Sequence, residues 1–192
     1  MKLLMHACCA PCSVYCVDTL RKEGIEPTML WYNPNIHPYK EYKARLDCFK
    51  EYCEMMNLKS IIIDEYGLEE FCKNTINDLD NRCCNYCYPK RISKLFEYAK
   101  ENGYDTVSTT LLYSIYQNHD FVKSLCERLS DKTGIQFLYR DFRVGYWVGN
   151  NKAHNLGLYM QKYCGCVFSE ADATYYHKKG TRYMPEKFIE NK

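Results

Sequence analysis

The chain of 192 residues has no apolar run longer than a few residues, Ser60-Ile61-Ile62-Ile63 being typical. Nothing approaches the roughly 20 residues that a membrane helix needs. The start, Met1-Lys2-Leu3-Leu4-Met5-His6, is too short for a signal-peptide core. The expectation is a soluble cytoplasmic protein with no membrane partner. Glycine is scarce at 9 residues, and none falls in a GxGxxG, P-loop GK(S/T) or GxSxG pattern. The glycine-rich signature of an ATP pyrophosphatase after the first strand is missing too, and cysteines stand in its place. These absences disfavour nucleotide-dependent chemistry. An excess of one charge sign is also lacking, because 26 Lys+Arg against 24 Asp+Glu leave only +2. The uneven stretch is 177–192, where Lys178, Lys179, Arg182, Lys187 and Lys192 face Glu186 and Glu190. Such a basic tail lends modest support to a nucleic-acid partner.

What the chain does have is cysteine, 13 of them. An odd number cannot pair fully within one chain, and the cytosol keeps thiols reduced. Metal binding or thiol chemistry is therefore expected rather than a disulfide framework. With 46% hydrophobic residues, the chain can build a core without disulfide staples. Its length matches one domain, 1–192, with an irregular basic tail at 177–192.

Strands are expected at Lys2–His6, Pro27–Tyr32, Ser60–Asp64, Asp105–Thr110 and Gln136–Tyr139. Between them run helices: one from Pro11 or Cys12 to Gly24, one carrying the stripe Tyr42, Leu46, Phe49, Cys53 and Met56, one carrying Ile92, Leu95, Phe96 and Ala99, and one carrying Val122, Leu125, Cys126 and Leu129. Asp80–Tyr88 reads as a polar loop. A last helix through Ala153, Leu156, Met160 and Tyr163 leads to Cys164. Strands alternating with helices predict an α/β fold with a doubly wound parallel sheet.

Three cysteine groups share a setting. Cys8, Cys9 and Cys12 lie between the first strand and its helix. Cys84 and Cys87 form a CxxC before the helix opened by Pro89. Cys164 and Cys166 flank Gly165, which relieves crowding between two ligands. Ligands bind beyond the carboxyl ends of parallel strands, and a helix N-terminus favours thiolate over thiol. These seven are the candidate metal ligands. Cys48, Cys53, Cys72 and Cys126 read as ordinary packed thiols, as does Cys16, and Cys83 as a bystander outside the CxxC spacing. Four thiolates suit zinc or an iron–sulfur cluster. Seven exceed one site, which favours a 4Fe–4S cluster plus an adjacent metal or redox thiol pair.

The motifs His6-Ala7-Cys8-Cys9-Ala10-Pro11-Cys12, Asn33-Pro34-Asn35-Ile36-His37-Pro38, Cys84–Cys87 followed by Tyr88 and Arg91, Thr109-Thr110-Leu111, Asp141-Phe142-Arg143 and Tyr163-Cys164-Gly165-Cys166-Val167-Phe168-Ser169 occur in this order. In this the chain resembles the QueH-type epoxyqueuosine reductases up to about Ser169. The resemblance implies a Rossmann-like, nucleotide alpha hydrolase-like fold with the metal site at the C-terminal edge of the sheet. It also implies reduction of the epoxide of epoxyqueuosine in tRNA to the cyclopentene of queuosine, without cobalamin. A 4Fe–4S cluster beside a mononuclear metal, iron or zinc, is implied, held by Cys8, Cys9, Cys12, Cys84, Cys87, Cys164 and Cys166. Three departures stand out. Cys12 replaces an acidic residue of some members, Cys83 replaces an arginine, and Tyr159-Met160-Gln161 replaces Tyr-Arg-Gln.

Removing an epoxide oxygen needs two electrons, two protons and a Lewis acid. Cys8, Cys9 and Cys12 are the expected catalytic group, with electrons arriving through the cluster from an external donor. His37, Tyr113, Arg91, Asp141 and Arg143 are candidates for substrate contact. His37 is expected at the site rim, Tyr113 and Tyr116 as stacking rings, and Lys90 and Arg91 on phosphate; His6 is as well explained by packing. Two alternatives predict different preparations. A zinc-stabilised RNA-binding module would be colourless and free of sulfide. A thiol-based sulfur carrier would survive chelation and die on alkylation.

Overall fold

In a computed structural model that describes residues 1–176, five strands form one sheet: β1 (Leu3–Ala7), β2 (Thr28–Trp31), β3 (Ser60–Ile62), β4 (Thr106–Thr109) and β5 (Gln136–Phe137). Every pairing is parallel and the order is β3-β2-β1-β4-β5. The chain steps outward from β1 to β3, then returns to lay β4 on the other side of β1. That reversal makes the crevice between the carboxyl ends of β1 and β4 the topological switch point, where open α/β sheets bind their ligands. β1 is buried along its whole length, as a central parallel strand covered on both faces must be.

The helices are α1 (Ala10–Lys22), α2 (Tyr39–Met55), α3 (Leu68–Thr75), α4 (Tyr88–Glu101), α5 (His119–Thr133), α6 (Tyr146–Asn155) and α7 (Val167–Ala171). The stripes expected on α2, α4 and α5 are buried at Tyr42, Leu46, Phe49 and Cys53, at Ile92, Leu95, Phe96 and Ala99, and at Val122, Leu125 and Cys126. Trp31 and Phe49, with ring centroids 5.3 Å apart, anchor the β2–α2 contact and are fully buried. Each such side chain contributes about 1.5–3 kcal/mol through removal from water.

Three segments differ from expectation. α3 was not expected, because only Phe71 and Thr75 of its eight residues are buried, too sparse a stripe to mark a helix. Cys83–Cys87 is not a loop but a single π-helical turn running straight into α4. The last expected helix ends at Asn155, since Gly157 takes a left-handed φ of 70° beyond it. Met160 and Tyr163 therefore lie on an irregular connection. The basic stretch 177–192 lies outside the described residues.

Candidate metal centre

Only Cys8 and Cys9 connect the end of β1 at Ala7 to the start of α1 at Ala10, so both sit at the switch point. Cys9 caps α1: its Sγ accepts the Cys12 N–H at 3.3 Å, with Pro11 in the first turn. Cys12 follows on that turn, and the three sulfurs lie within 4.8 Å of one another. Thr110, just past β4, locks the group from the other side of the crevice. Its Oγ1 accepts the Cys8 N–H at 2.9 Å and donates to Cys8 Sγ at 3.2 Å. Gln161 donates from Nε2 to Cys9 Sγ at 2.9 Å, while its own Oε1 is buried without a hydrogen bond.

The triad carries its charge unevenly. Hydrogen bonds from Cys12 and Cys9 hold Cys8 well below the usual thiol range. Burial pushes Cys9 up, and the protons that Cys12 gives Cys8 and Cys9 push Cys12 up as well. Three adjacent buried thiolates cannot coexist without countercharge, so a lone anion on Cys8 is shared by two thiols. A soft cation removes that conflict. With metal–sulfur bonds of about 2.3 Å, tetrahedral geometry asks for sulfurs about 3.8 Å apart, and Cys8 and Cys9 are 3.9 Å apart. The donor set thus fits one thiophilic ion with three protein ligands and a fourth position open to a reactant.

A second sulfur group surrounds the start of α4. Cys87 and Cys166 pack with Phe71 and Tyr86 in a small apolar cluster, flanked by Cys72 and Phe168. Cys166 caps α7, its Sγ accepting the Ser169 N–H at 3.4 Å. Cys84 lies 3.6 Å from Asn118 Nδ2, and Cys164 lies 3.5 Å from Gln117 Nε2. Tyr88 clasps that same loop, donating to Gln117 Oε1 at 2.8 Å and accepting the Asn118 N–H at 3.1 Å. Among the described residues, no three ligand atoms here approach within 4.8 Å. The donor set is all thiol, the chemistry that iron–sulfur clusters take.

A hydrogen bond from Cys87, with Arg82 and Arg91 nearby, brings the Cys83 thiol down to about 6. Giving that proton and being buried push Cys87 up. Crowding by protein atoms takes Cys164 up to about 11 even though the residue reaches the solvent edge. Arg91 sets a buried positive charge beside this second group, acting on Cys83, Cys87 and Cys164.

The Asn33–Pro38 motif turns out to be scaffolding for the second group. The His37 N–H donates to Gly165 O at 2.8 Å and the Tyr163 hydroxyl to His37 O at 2.8 Å. Arg45, paired with Glu41 at 2.7 Å, donates to Cys164 O at 2.8 Å and Tyr163 O at 3.0 Å. A side chain at Gly165 would press Ile36 Cγ1 at 3.2 Å, so the glycine serves this loop contact as well as the two thiols.

The candidate contact residues fall in different places. His37 is fully buried against Phe71, not at a rim, and neither ring nitrogen makes a hydrogen bond; burial takes it down to about 4. Arg91 is 3% exposed and donates to the Cys87 carbonyl at 2.9 Å, so it is held inside the protein. Lys90 is tied to Glu70 at 2.8 Å. Tyr113 is buried with its hydroxyl on Tyr146 O at 2.7 Å. Asp141 and Arg143 pair with each other at 2.6 Å on a half-buried turn. His6 is a packed residue, bonded to Thr109 Oγ1 and Tyr32 O at 3.0 and 3.2 Å. Cys16, Cys48, Cys53 and Cys126 are packed thiols as expected. Residue type alone did not single out Gln161, Arg45, Gln117 or Asn118, which touch or support sulfur.

No helix among the described residues is long and apolar enough to cross a membrane. Residues 3–172 match the family model described as Epoxyqueuosine reductase QueH. Among curated relatives bearing that description, one from Dehalococcoides mccartyi is 36% identical over 169 residues, covering 88% of this chain and 92% of its own. Another from Acinetobacter baylyi is 33% identical over 186 residues, covering 89% and 81%. A third from Thermotoga maritima is 30% identical over 176 residues, covering 87% and 89%. Among solved structures, the NMN synthetase from Francisella tularensis aligns with a TM-score of 0.38 at 14% identity, covering 95% of this chain and 89% of that one. The chain belongs to the epoxyqueuosine reductase QueH family.

Proposed function

We propose that this protein is a cytoplasmic, cobalamin-independent oxidoreductase that reduces the epoxide of epoxyqueuosine in tRNA to the alkene of queuosine. The reaction takes up two electrons and two protons and releases the epoxide oxygen as water. The observation that carries the reading is the compact triad of Cys8, Cys9 and Cys12 beside the β1/β4 switch point, in a chain of this family.

In this reading Cys8, Cys9 and Cys12 hold one ion, iron or zinc. Cys87, Cys164 and Cys166, with one of the vicinal pair Cys83 and Cys84, hold a 4Fe–4S cluster. When bound, the two groups supply a Lewis acid for the epoxide oxygen and a one-electron relay from an external donor. The protein's own residues do the rest. Thr110 fixes the direction of Cys8, Gln161 does the same for Cys9, and Tyr113 and Tyr146 wall the triad on the α6 side. Arg91 sets a buried positive charge beside thiolates that would otherwise repel one another. The electron donor docks from outside.

The test is an anaerobic preparation given tRNA bearing epoxyqueuosine and a chemical reductant. Mass spectrometry of the digested nucleosides is expected to show loss of one oxygen atom. A colourless zinc protein without sulfide, or turnover that survives removal of metal, would overturn the reading.

A further inference from the structure

A surface helix ordinarily turns its apolar face inward. α6 does the opposite. Trp147 and Val148 are 62% and 64% exposed, and Val144, on the turn just before the helix, is 81% exposed. The face turned toward the protein is made of Gly149 and Ala153, continued by Gly145 at the N-cap, and the helix lies directly on α1. A side chain at Gly145 would stand 2.0 Å from the Tyr15 ring, and one at Gly149 would stand 2.6 Å from Tyr113 Oη and 2.7 Å from Tyr15 Cβ. No rotation of α6 hides Trp147 without driving bulk into that contact. The apolar face is exposed by construction.

That face is continuous with the metal triad through a ladder of rings. Tyr113 is buried beside Cys9 and Cys12, and its ring lies 5.4 Å from that of Tyr146. From Tyr146 the ladder forks to Trp147 at 5.1 Å and to Tyr116 at 6.0 Å, and Tyr116 is 45% exposed. Exposure therefore rises step by step from sulfur to solvent. Between Phe142 and Asn151 the one charged residue is Arg143, and it is paired with Asp141.

We propose that this aromatic face is the platform on which single-stranded loop nucleotides of the RNA substrate stack while the target base enters the triad pocket, with Trp147 and Tyr116 as the stacking rings. The inference rests on tRNA being the substrate. An enzyme acting on a base takes it out of the stack, and the nucleotides beside it then need new partners. Aromatic faces supply those without sequence preference, at roughly five- to hundredfold in affinity per stacked base.

The chain has two tryptophans, and Trp31 is fully buried, so quenchable emission reports Trp147. The experiment titrates the whole protein with an unmodified transcript of a queuosine-accepting tRNA, following tryptophan emission and, separately, anisotropy of labelled RNA. Quenching on binding is expected, with Kd weakened roughly five- to hundredfold by Trp147→Ala and little changed by Trp147→Phe. RNA bound equally by both variants with no quenching overturns the platform and leaves the tRNA reading intact. No RNA binding even at low salt sinks the tRNA reading and the platform with it. Emission already shielded in the free protein, or self-association abolished by Trp147→Ala, assigns the face to the chain itself or to a second copy and also overturns the proposal.

Discussion

The two sulfur groups are built in opposite ways. Cys8, Cys9 and Cys12 come from five consecutive residues at one strand–helix junction, and local geometry alone brings them within 4.8 Å. The second group is gathered from residues 83–87 and 164–166, and its shape depends on Arg45, the Asn33–Pro38 loop and the Tyr88 clasp. A compact, locally encoded triad suits a single ion. In the proposed reading a set assembled by tertiary contacts holds the cluster, and its integrity rests on residues distant in sequence from its cysteines.

The largest expected effect sharpens this division directly. Cys87→Ala or Cys166→Ala should remove nearly all acid-labile sulfide and cut turnover at least a hundredfold, whereas Cys9→Ala should cut turnover as deeply yet keep the sulfide. Sulfide lost equally from all three would erase the distinction. Next comes the scaffold. Arg45 is 2% exposed, and Arg45→Met leaves Glu41 with the Tyr159 hydroxyl but no countercharge and frees the Cys164 carbonyl. A loss of about 3 kcal/mol in denaturant unfolding is expected, while one metal ion should still bind the triad.

Acid sensitivity gives a third contrast. The folded protein keeps His37 neutral down to about pH 4, whereas the unfolded chain takes up a proton near its ordinary value. The unfolded state therefore binds more protons between these values. The contribution is fully present above about pH 6.5 and is lost as pH falls toward 4, by about 2–3 kcal/mol. His37→Leu gives up no ring hydrogen bond, so it should fold at pH 7 and flatten this part of the pH profile. An unchanged profile would contradict the burial argument. Smaller still, Thr110→Val removes the hydroxyl on Cys8 and should weaken metal binding at the triad about tenfold. Asn118→Ala, at a solvent-edge contact to Cys84, should change cluster content by less than twofold. Metal titration and sulfide analysis check both.

The same contrast explains what could be read in the sequence. The alternation of strands and helices, and the placing of Cys8, Cys9 and Cys12 at a strand end, follow from patterns a few residues long. α3 escaped notice because most of its residues face water, and the last helix was overextended because Met160 and Tyr163 happen to continue its spacing past Gly157. CxxC spacing picks out Cys84 and Cys87, while the π-helical turn also sets Cys83 near Cys87, four residues on. His37 and Arg91 are expected to meet substrate, yet both are buried, and the packing of His37 on Phe71 and Gly165 is not revealed by any local pattern. Trp147 was hidden for the converse reason: only the close contact of α6 with α1 turns it outward.

The central claim is that two different inorganic groups occupy two differently built sulfur sites, and metal and sulfide analysis of anaerobically purified protein beside Cys9→Ala tests it most directly. The expected result is about four sulfides with matching iron plus about one further metal ion per chain, with Cys9→Ala losing only the further ion. A wild-type protein holding one zinc and no sulfide, or a Cys9→Ala variant stripped of sulfide, would contradict it.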